Sequence, residues 1–215
     1  MQCFNSLQKY DLNGLIYSGV VYDRPTIKID SRGSQGIKKC ISDKKIENDN
    51  ENRSVRRSRT MVKDYVKTNP ELKYFVTYTL DPGKINRYDE EEIYRKIRNW
   101  LSDRVKLKGL KYILVPEKHK DGAWHFHGFV NKPLEWKYGF CRIVEMDREK
   151  EMGKIINYTV SYIKKDMEKF NGRRYLHSRN LWKPGRIYSN VDFDNESGRL
   201  VELEELGIKM KIQEG

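Results

Sequence analysis

The chain of 215 residues has little of what membrane, secreted and metal-cluster proteins depend on. It contains no apolar run close to the roughly 20 residues that span a bilayer, and no charged-then-apolar signal opens it. Its three cysteines, Cys3, Cys40 and Cys141, are odd in number and far apart, so neither a disulfide framework nor a zinc cluster is predicted. We therefore expect a soluble protein that works in a reducing, cytoplasmic interior.

Acidic residues are few relative to basic ones. The chain has 43 lysines and arginines against 31 aspartates and glutamates, a formal net charge of +12. Such an excess favours a polyanionic partner, nucleic acid first and an anionic membrane surface second. Two segments depart from this trend. Residues 42–54 are almost wholly polar, which predicts a solvated linker or loop, and residues 192–215 carry seven acids against three bases.

The apolar periodicity predicts an α+β fold. Strand-like and helix-like patterns alternate along the chain, with the strands rich in β-branched and aromatic residues. The order strand, helix, hairpin, strand, helix in the middle of the chain predicts an antiparallel sheet with helices packed on a face. The predicted elements are strands at 14–22 and 26–29, a basic helix from Arg53 to about Asn69, a strand at 74–80, a helix from Asp89, strands at 111–117, 123–130 and 140–146, and a helix at 149–170.

Half of the four histidines lie in one short strand. Because side chains alternate along a strand, His125 and His127 share one face and Phe126 points to the other, into the core. Two such imidazoles can hold a metal ion, although an isolated pair more often marks the wet face of a strand. The hairpin brings the carboxylate of Glu117 close to both. One carboxylate and two imidazoles leave positions open for substrate, and phosphate oxygens would suit Mg²⁺ or Mn²⁺.

Two tyrosines follow in the last predicted helix. Tyr158, Tyr162 and Lys165 fall at i, i+4 and i+7 and therefore share one helix face. Tyrosines at this spacing are usually core residues with hydroxyls at the rim. The alternative is a nucleophile, which would need a metal and Lys165 to stabilise its phenolate, since a phenol titrates near 10. Together with the histidines and the positive charge, this helix predicts metal-assisted phosphoryl transfer to tyrosine.

These motifs resemble those of the HUH endonucleases, and most closely the replication initiators of rolling-circle plasmids and small single-stranded DNA phages. The strand 75–80 is similar to the family's first motif, the segment 116–128 to its second and the tyrosine helix to its third. The resemblance implies a sheet of about five antiparallel strands with flanking helices, related to the ferredoxin-like and RNA-recognition folds. Many two-tyrosine members have a lysine where this chain has Ser161, so Tyr162 is the predicted principal nucleophile and Tyr158 a second candidate.

The resemblance implies a function and a set of partners. The protein would nick single-stranded or hairpin origin DNA, keep it as a 5′-phosphotyrosine and release a 3′-OH for rolling-circle replication, with later strand transfer. Its setting would be a phage or plasmid in the cytoplasm of a bacterial host. The sequence lacks a Gly-x-x-x-x-Gly-Lys-Ser/Thr phosphate loop, so a separate host helicase and DNA polymerase are expected, and no membrane partner. Two alternatives stay open: a transposase or relaxase with the same chemistry, and a non-catalytic basic protein that binds single-stranded DNA.

Basic residues with interleaved aromatic rings predict the DNA-binding surface. A solvated helix or loop explains any single one of them equally well. The candidates are Arg56, Arg57, Arg59, Lys164, Lys169, Arg173, Arg174, Arg179 and Lys183. The predicted organisation is an N-terminal β extension and linker over 1–52, the endonuclease domain over 53–190 and an acidic C-terminal tail over 191–215.

Overall fold

The computed structural model describes residues 2–10, 16–29, 50–147, 149–164, 167–203 and 208–214. These residues form helices and antiparallel strands, which confirms the predicted α+β class. In chain order the elements are β1 (Gln2–Phe4), β2 (Ser6–Tyr10), β3 (Ile16–Tyr22), β4 (Ile27–Ile29), α1 (Asn50–Thr68), β5 (Tyr74–Thr79), α2 (Glu90–Lys108), β6 (Tyr112–Lys118), β7 (Trp124–Val130), β8 (Cys141–Glu145), α3 (Met152–Ser161), β9 (Leu176–His177), β10 (Gly185–Ser189), β11 (Arg199–Leu203) and β12 (Ile208–Glu214).

The chain divides into two compact units. The terminal unit contains residues 1–48 and 183–215, and the central unit contains residues 49–182. This division differs from the linear one drawn from the sequence, because the two ends of the chain belong to the same unit. Composition along the chain reports only on neighbours in sequence, whereas strand pairing joins segments at any separation.

The terminal unit has a five-stranded antiparallel sheet of order β10-β2-β3-β12-β11, and β1 pairs separately with β4. Strand β10 pairs with β2 from Gly185 opposite Tyr10 to Ser189 opposite Ser6. The acidic C-terminal segment therefore supplies two strands, β11 and β12, where no strand was predicted. The described part of the predicted N-terminal extension supplies β2 and β3 to the same sheet.

The central unit is built on a second five-stranded antiparallel sheet, of order β8-β5-β7-β6-β9. Strand β7 lies in the middle, paired with β5 on one side and with β6 on the other. Helix α2 begins as predicted at Asp89, whose side chain accepts a hydrogen bond from the Glu92 backbone N–H, and its first turn is acidic. It ends at Gly109, which adopts the left-handed conformation typical of a helix C-cap.

Each face of the central sheet packs into its own apolar cluster. One face carries Trp124 and Phe126 and packs against α2, with Phe126 fully buried as predicted. The opposite face carries Ile113, Val115 and Phe129 and packs against α1 and α3. Helix α1 ends at Thr68, next to the predicted boundary, but it already begins at Asn50. Residues 50–54 of the predicted linker are thus helical, while 42–49 lie outside the described residues.

The predicted helix over 149–170 is too long. Helix α3 covers Met152–Ser161, with Tyr162 as its C-cap. The reason lies in what the segment buries. Ile163 packs into the cluster beneath α1 and α3, whereas Phe170 is buried with Trp124 on the opposite face of the sheet. A straight helix cannot place side chains on both faces of one sheet, so the chain leaves the helix between them.

Candidate active site

The strand pair β6–β7 brings a carboxylate and two imidazoles to one face of the central sheet. In its register Glu117 lies opposite His125, and Val115 lies opposite His127. The Glu117 Oε2 atom lies 2.9 Å from Nε2 of His127, which is only 6% exposed. On the neighbouring strand β5, the Thr77 Oγ1 atom lies 3.3 Å from Nδ1 of the same histidine. Both ring nitrogens of His127 are thereby engaged, which fixes the orientation of the ring.

His125 has a different environment. Its ring stacks on that of His119 with centroids 3.7 Å apart, and Nε2 of His119 lies 3.9 Å from Glu117 Oε2. Three imidazoles thus surround a single carboxylate. Within the part of the chain that the structure describes, no three histidine, cysteine, aspartate or glutamate side chains already stand in the arrangement of a metal site.

Both candidate tyrosines of α3 meet His127. The ring of Tyr162 stacks on the imidazole with centroids 4.5 Å apart and planes only 6° from parallel. The ring of Tyr158 meets it edge-on at 6.3 Å, and the Tyr162 hydroxyl donates a hydrogen bond to the Tyr158 hydroxyl. The Tyr158 side chain is 49% exposed, so a ligand in solvent can reach this hydroxyl pair.

The electrostatics of the site follow from burial. Desolvation lowers the pKa of His127 below the usual value, although its hydrogen bond to Glu117 opposes that shift. Desolvation, helped by the charge of His119, also lowers the pKa of His125. Burial, the hydrogen bond to Tyr158 and the Glu117 carboxylate all raise the pKa of Tyr162. The imidazoles therefore stay neutral and able to bind a metal, whereas the Tyr162 phenol stays protonated unless a cation is brought near it.

These groups open into a cavity of about 290 Å³, which we call the site cavity. It brings together the carboxylate, the tyrosine and cationic side chains. Its lining consists of Pro116, Glu117, Lys118, His119, Tyr162, Lys164, Met167 and Glu168. Lys118 and Glu168 pair across it, with Nζ and Oε2 2.7 Å apart.

Residues 73–167, which include this site apart from one cavity residue, match a family model described as replication-associated protein, of the ORF2 type. The segment is similar to Rep-type replication initiators. This agrees with the resemblance found in the sequence, and the match spans somewhat less than half of the chain. No curated protein and no solved structure matches the chain significantly. Among the described residues, no helix is long and apolar enough to cross a membrane.

The predicted DNA-binding residues have unequal positions around the Rep-type segment. Arg56, Arg59 and Lys164 line one groove, while Arg57 is exposed on α1 outside it. Arg174 is 5% exposed and lies in the interior rather than at the surface. The remaining candidates Lys169, Arg173, Arg179 and Lys183 are exposed, the last of them in the terminal unit. Lys165, the predicted partner of the phenolate, lies outside the described residues.

Two residues of the Rep-type site were missed in the sequence. Thr77 touches His127, and His119 stacks on His125. Strand alternation could have placed Thr77 on the histidine face, given the pairing of β5 with β7, but the sequence does not show which strands are neighbours. His119 belongs to the turn of the hairpin, and its side-chain direction depends on turn geometry rather than on periodicity.

Proposed function

We propose that the Rep-type segment is a metal-dependent endonuclease that nicks and rejoins single-stranded origin DNA through a tyrosine and thereby initiates rolling-circle replication. One observation carries this proposal. The ring of Tyr162 lies flat on the imidazole of His127, whose Nε2 is bonded to Glu117. Residues from a hairpin and from a separate helix thus meet at an open cavity, and they supply a nucleophile next to metal-binding side chains.

Glu117, His125 and His127 would hold the metal, Mg²⁺ or Mn²⁺. They fit the role because oxygen and neutral nitrogen donors project from one face of adjacent strands and the site cavity admits phosphate. When bound there, the ion would add positive charge that polarises a phosphate and favours the Tyr162 phenolate. Thr77, bonded to the second ring nitrogen of His127, orients that ligand.

Tyr162 carries the covalent step. Its phenolic oxygen attacks the scissile phosphorus and its proton passes to solvent, while the bond from phosphorus to the 3′ oxygen breaks. That oxygen takes up a proton and becomes the free 3′-OH, and the DNA beyond the nick remains as a 5′-phosphotyrosine. Attack of a 3′-OH on this linkage rejoins DNA and regenerates Tyr162. Phosphodiester bonds are exchanged rather than lost, so neither step needs a nucleotide cofactor.

Tyr158 and Lys165 have supporting roles in this proposal. The Tyr158 hydroxyl accepts a hydrogen bond from Tyr162, so it is placed for a second transfer that closes a circle. Lys165 would stabilise the phenolate or the phosphate. The enzyme would act in the cytoplasm of a bacterial host, and a host helicase and DNA polymerase would unwind the duplex and extend the 3′-OH.

A labelled-strand experiment tests the proposal. The protein is incubated with Mn²⁺ and a pool of single-stranded oligonucleotides labelled at the 3′ or at the 5′ end, then run on a denaturing gel. We expect the 3′ label alone to move with the protein, because the 5′-phosphotyrosine keeps the 3′ portion. The band should vanish with a chelator and in Tyr162→Phe. If DNA binds but no adduct forms, the nuclease proposal fails; if only Tyr158→Phe removes the band, the nucleophile is the other tyrosine.

A further inference from the structure

A second cavity of about 610 Å³ lies between helices α1 and α3 of the central unit. We call it the basic groove, because its lining is dominated by cationic and uncharged polar side chains. The lining residues are Arg56, Arg59, Thr60, Lys63, Asn157, Val160, Ser161 and Lys164. None of these described residues is acidic.

The cations of the basic groove are not neutralised by the protein itself. No ion pair between described residues involves Arg56, Lys63 or Lys164. Arg59 donates from Nε to the Ile163 carbonyl at 2.7 Å, which leaves its terminal guanidinium nitrogens for another acceptor. Four like charges around one cavity repel each other, and a bound polyanion relieves that repulsion.

The basic groove is continuous with the site cavity. Lys164 lines both cavities. The carbonyl that Arg59 holds belongs to Ile163, the residue directly after Tyr162. A strand whose phosphate lies at Tyr162 therefore passes Lys164 and reaches the groove next.

We propose that the basic groove binds the phosphate backbone of the single-stranded DNA that flanks the nicked phosphate. This proposal rests on the proposed function and adds a track for the strand. The chemistry favours a nucleic-acid backbone over an acidic protein. A backbone needs only cations and polar donors such as Thr60 and Asn157, whereas protein interfaces depend on buried aromatic and apolar anchors. The groove offers one aliphatic side chain, Val160, which is 5% exposed.

The test measures binding without chemistry. In a Tyr158→Phe/Tyr162→Phe background with a chelator present, we compare Arg56→Gln/Lys63→Gln with the control Arg98→Gln/Lys106→Gln. The control removes the same two types of charge from exposed positions on α2, on the other face of the sheet. Affinity for a mixed-sequence single-stranded oligonucleotide is measured by fluorescence anisotropy over a range of salt concentrations. Thermal unfolding confirms that both variants fold.

We expect the groove variant to bind about ten-fold more weakly, and the slope of log affinity against log salt to fall by about 1.4, roughly 0.7 for each lost phosphate contact. The α2 control should change neither quantity by more than a small fraction of this. If both double variants weaken binding equally, only net charge matters and the groove is not a site. If the groove variant loses affinity for an acidic peptide but not for DNA, its occupant is a protein segment and the proposal is overturned.

The outcomes also separate this proposal from the nuclease proposal. Weaker DNA binding by the groove variant, in a protein that never forms a covalent adduct, keeps the groove and removes the nuclease. Normal DNA binding by the groove variant, in a protein that does form the adduct, keeps the nuclease and removes the groove.

Discussion

The two faces of the central sheet differ in what they exclude. Strand β7 sends Trp124 and Phe126 to a closed face, where aromatic rings pack under α2 and both side chains are fully buried. The residues between and beyond them, His125 and His127, go to the face that α1 and α3 cover only in part. There the exposed ring of Tyr158 marks the open edge. Water is excluded from the first face and reaches the second.

This difference shows how a period of two separates stability from chemistry. Neighbours along β7 share a backbone but have no packing environment in common. A slip of one residue in strand register would exchange the two sets and put imidazoles in the apolar core. Register is therefore the property on which both faces depend, and each face should otherwise tolerate damage to the other.

The largest effect is expected from Gly128→Ala, because it disturbs register itself. A Cβ at Gly128 would overlap the backbone of Ile113 and Leu114 on β6, which cannot yield as a flexible side chain does. We expect a loss of more than about 4 kcal/mol in the free energy of unfolding, measured with denaturant, and loss of both faces together. Gly153→Ala on α3 is the control, since its Cβ would meet nothing within 4 Å. A Gly128→Ala protein as stable as the control would contradict the register described for β6 and β7.

Damage to the closed face alone should reduce stability and spare the chemistry. Phe126 packs edge-on against Phe170 with ring centroids 5.1 Å apart. Phe126→Ala leaves a cavity there, and we expect a loss of about 3–5 kcal/mol. Adduct formation per folded molecule, corrected by circular dichroism at the assay temperature, should stay within about two-fold of the original. A specific loss of adduct in fully folded protein would show that the two faces are coupled.

Much of the closed face could be predicted from the sequence. Alternation along β7 placed Phe126 in the core, and the helical spacing of Ile93, Ile97 and Trp100 predicted the buried side of α2, where all three are buried. The signal is strong because burial of large apolar side chains is the main constraint on such positions. The family motifs likewise pointed to the Rep-type segment before the family match was known.

The sequence was less informative where long-range geometry decides. It did not predict that Thr77 touches His127, that Arg59 reaches the Ile163 carbonyl, or that α3 ends at Ser161. The terminal sheet is the clearest case, because Tyr10 pairs with Gly185 and no local pattern relates positions so far apart. Basic residues were also judged alike, although burial separates Arg174 from the exposed ones.

A smaller effect is expected on the open face from Thr77→Val, which removes the hydroxyl at Nδ1 of His127 while preserving shape. Loss of such an orienting contact typically weakens metal binding by about 10–100-fold, and we expect Mn²⁺ affinity and adduct formation to fall together within that range. Thr79→Val is the control on the same strand, because its hydroxyl donates to the Phe140 carbonyl at 3.1 Å. Equal Mn²⁺ affinities for the two variants would show that Thr77 does not position the histidine.

The smallest expected effect is a dependence of stability on pH that arises on the open face. Burial lowers the pKa of His125 and His127 below the 6.5 of a free imidazole. As pH falls through about 6.5 the unfolded chain takes up protons at these two positions while the folded protein does not. The unfolded state then binds more protons, so the free energy of unfolding should decrease as pH is lowered through that value, and should be level above about pH 7.5.

Denaturant unfolding with a chelator present, at several pH values between about 5.5 and 8, isolates this contribution from metal binding. In His125→Gln/His127→Gln the decrease should be smaller than in the original protein, because neither position can take up a proton. Thr79→Val keeps both imidazoles and should show the original slope. An undiminished decrease in the double histidine variant would mean that the acid sensitivity arises elsewhere in the chain, and that the open face, like the closed one, is insensitive to protons in this range.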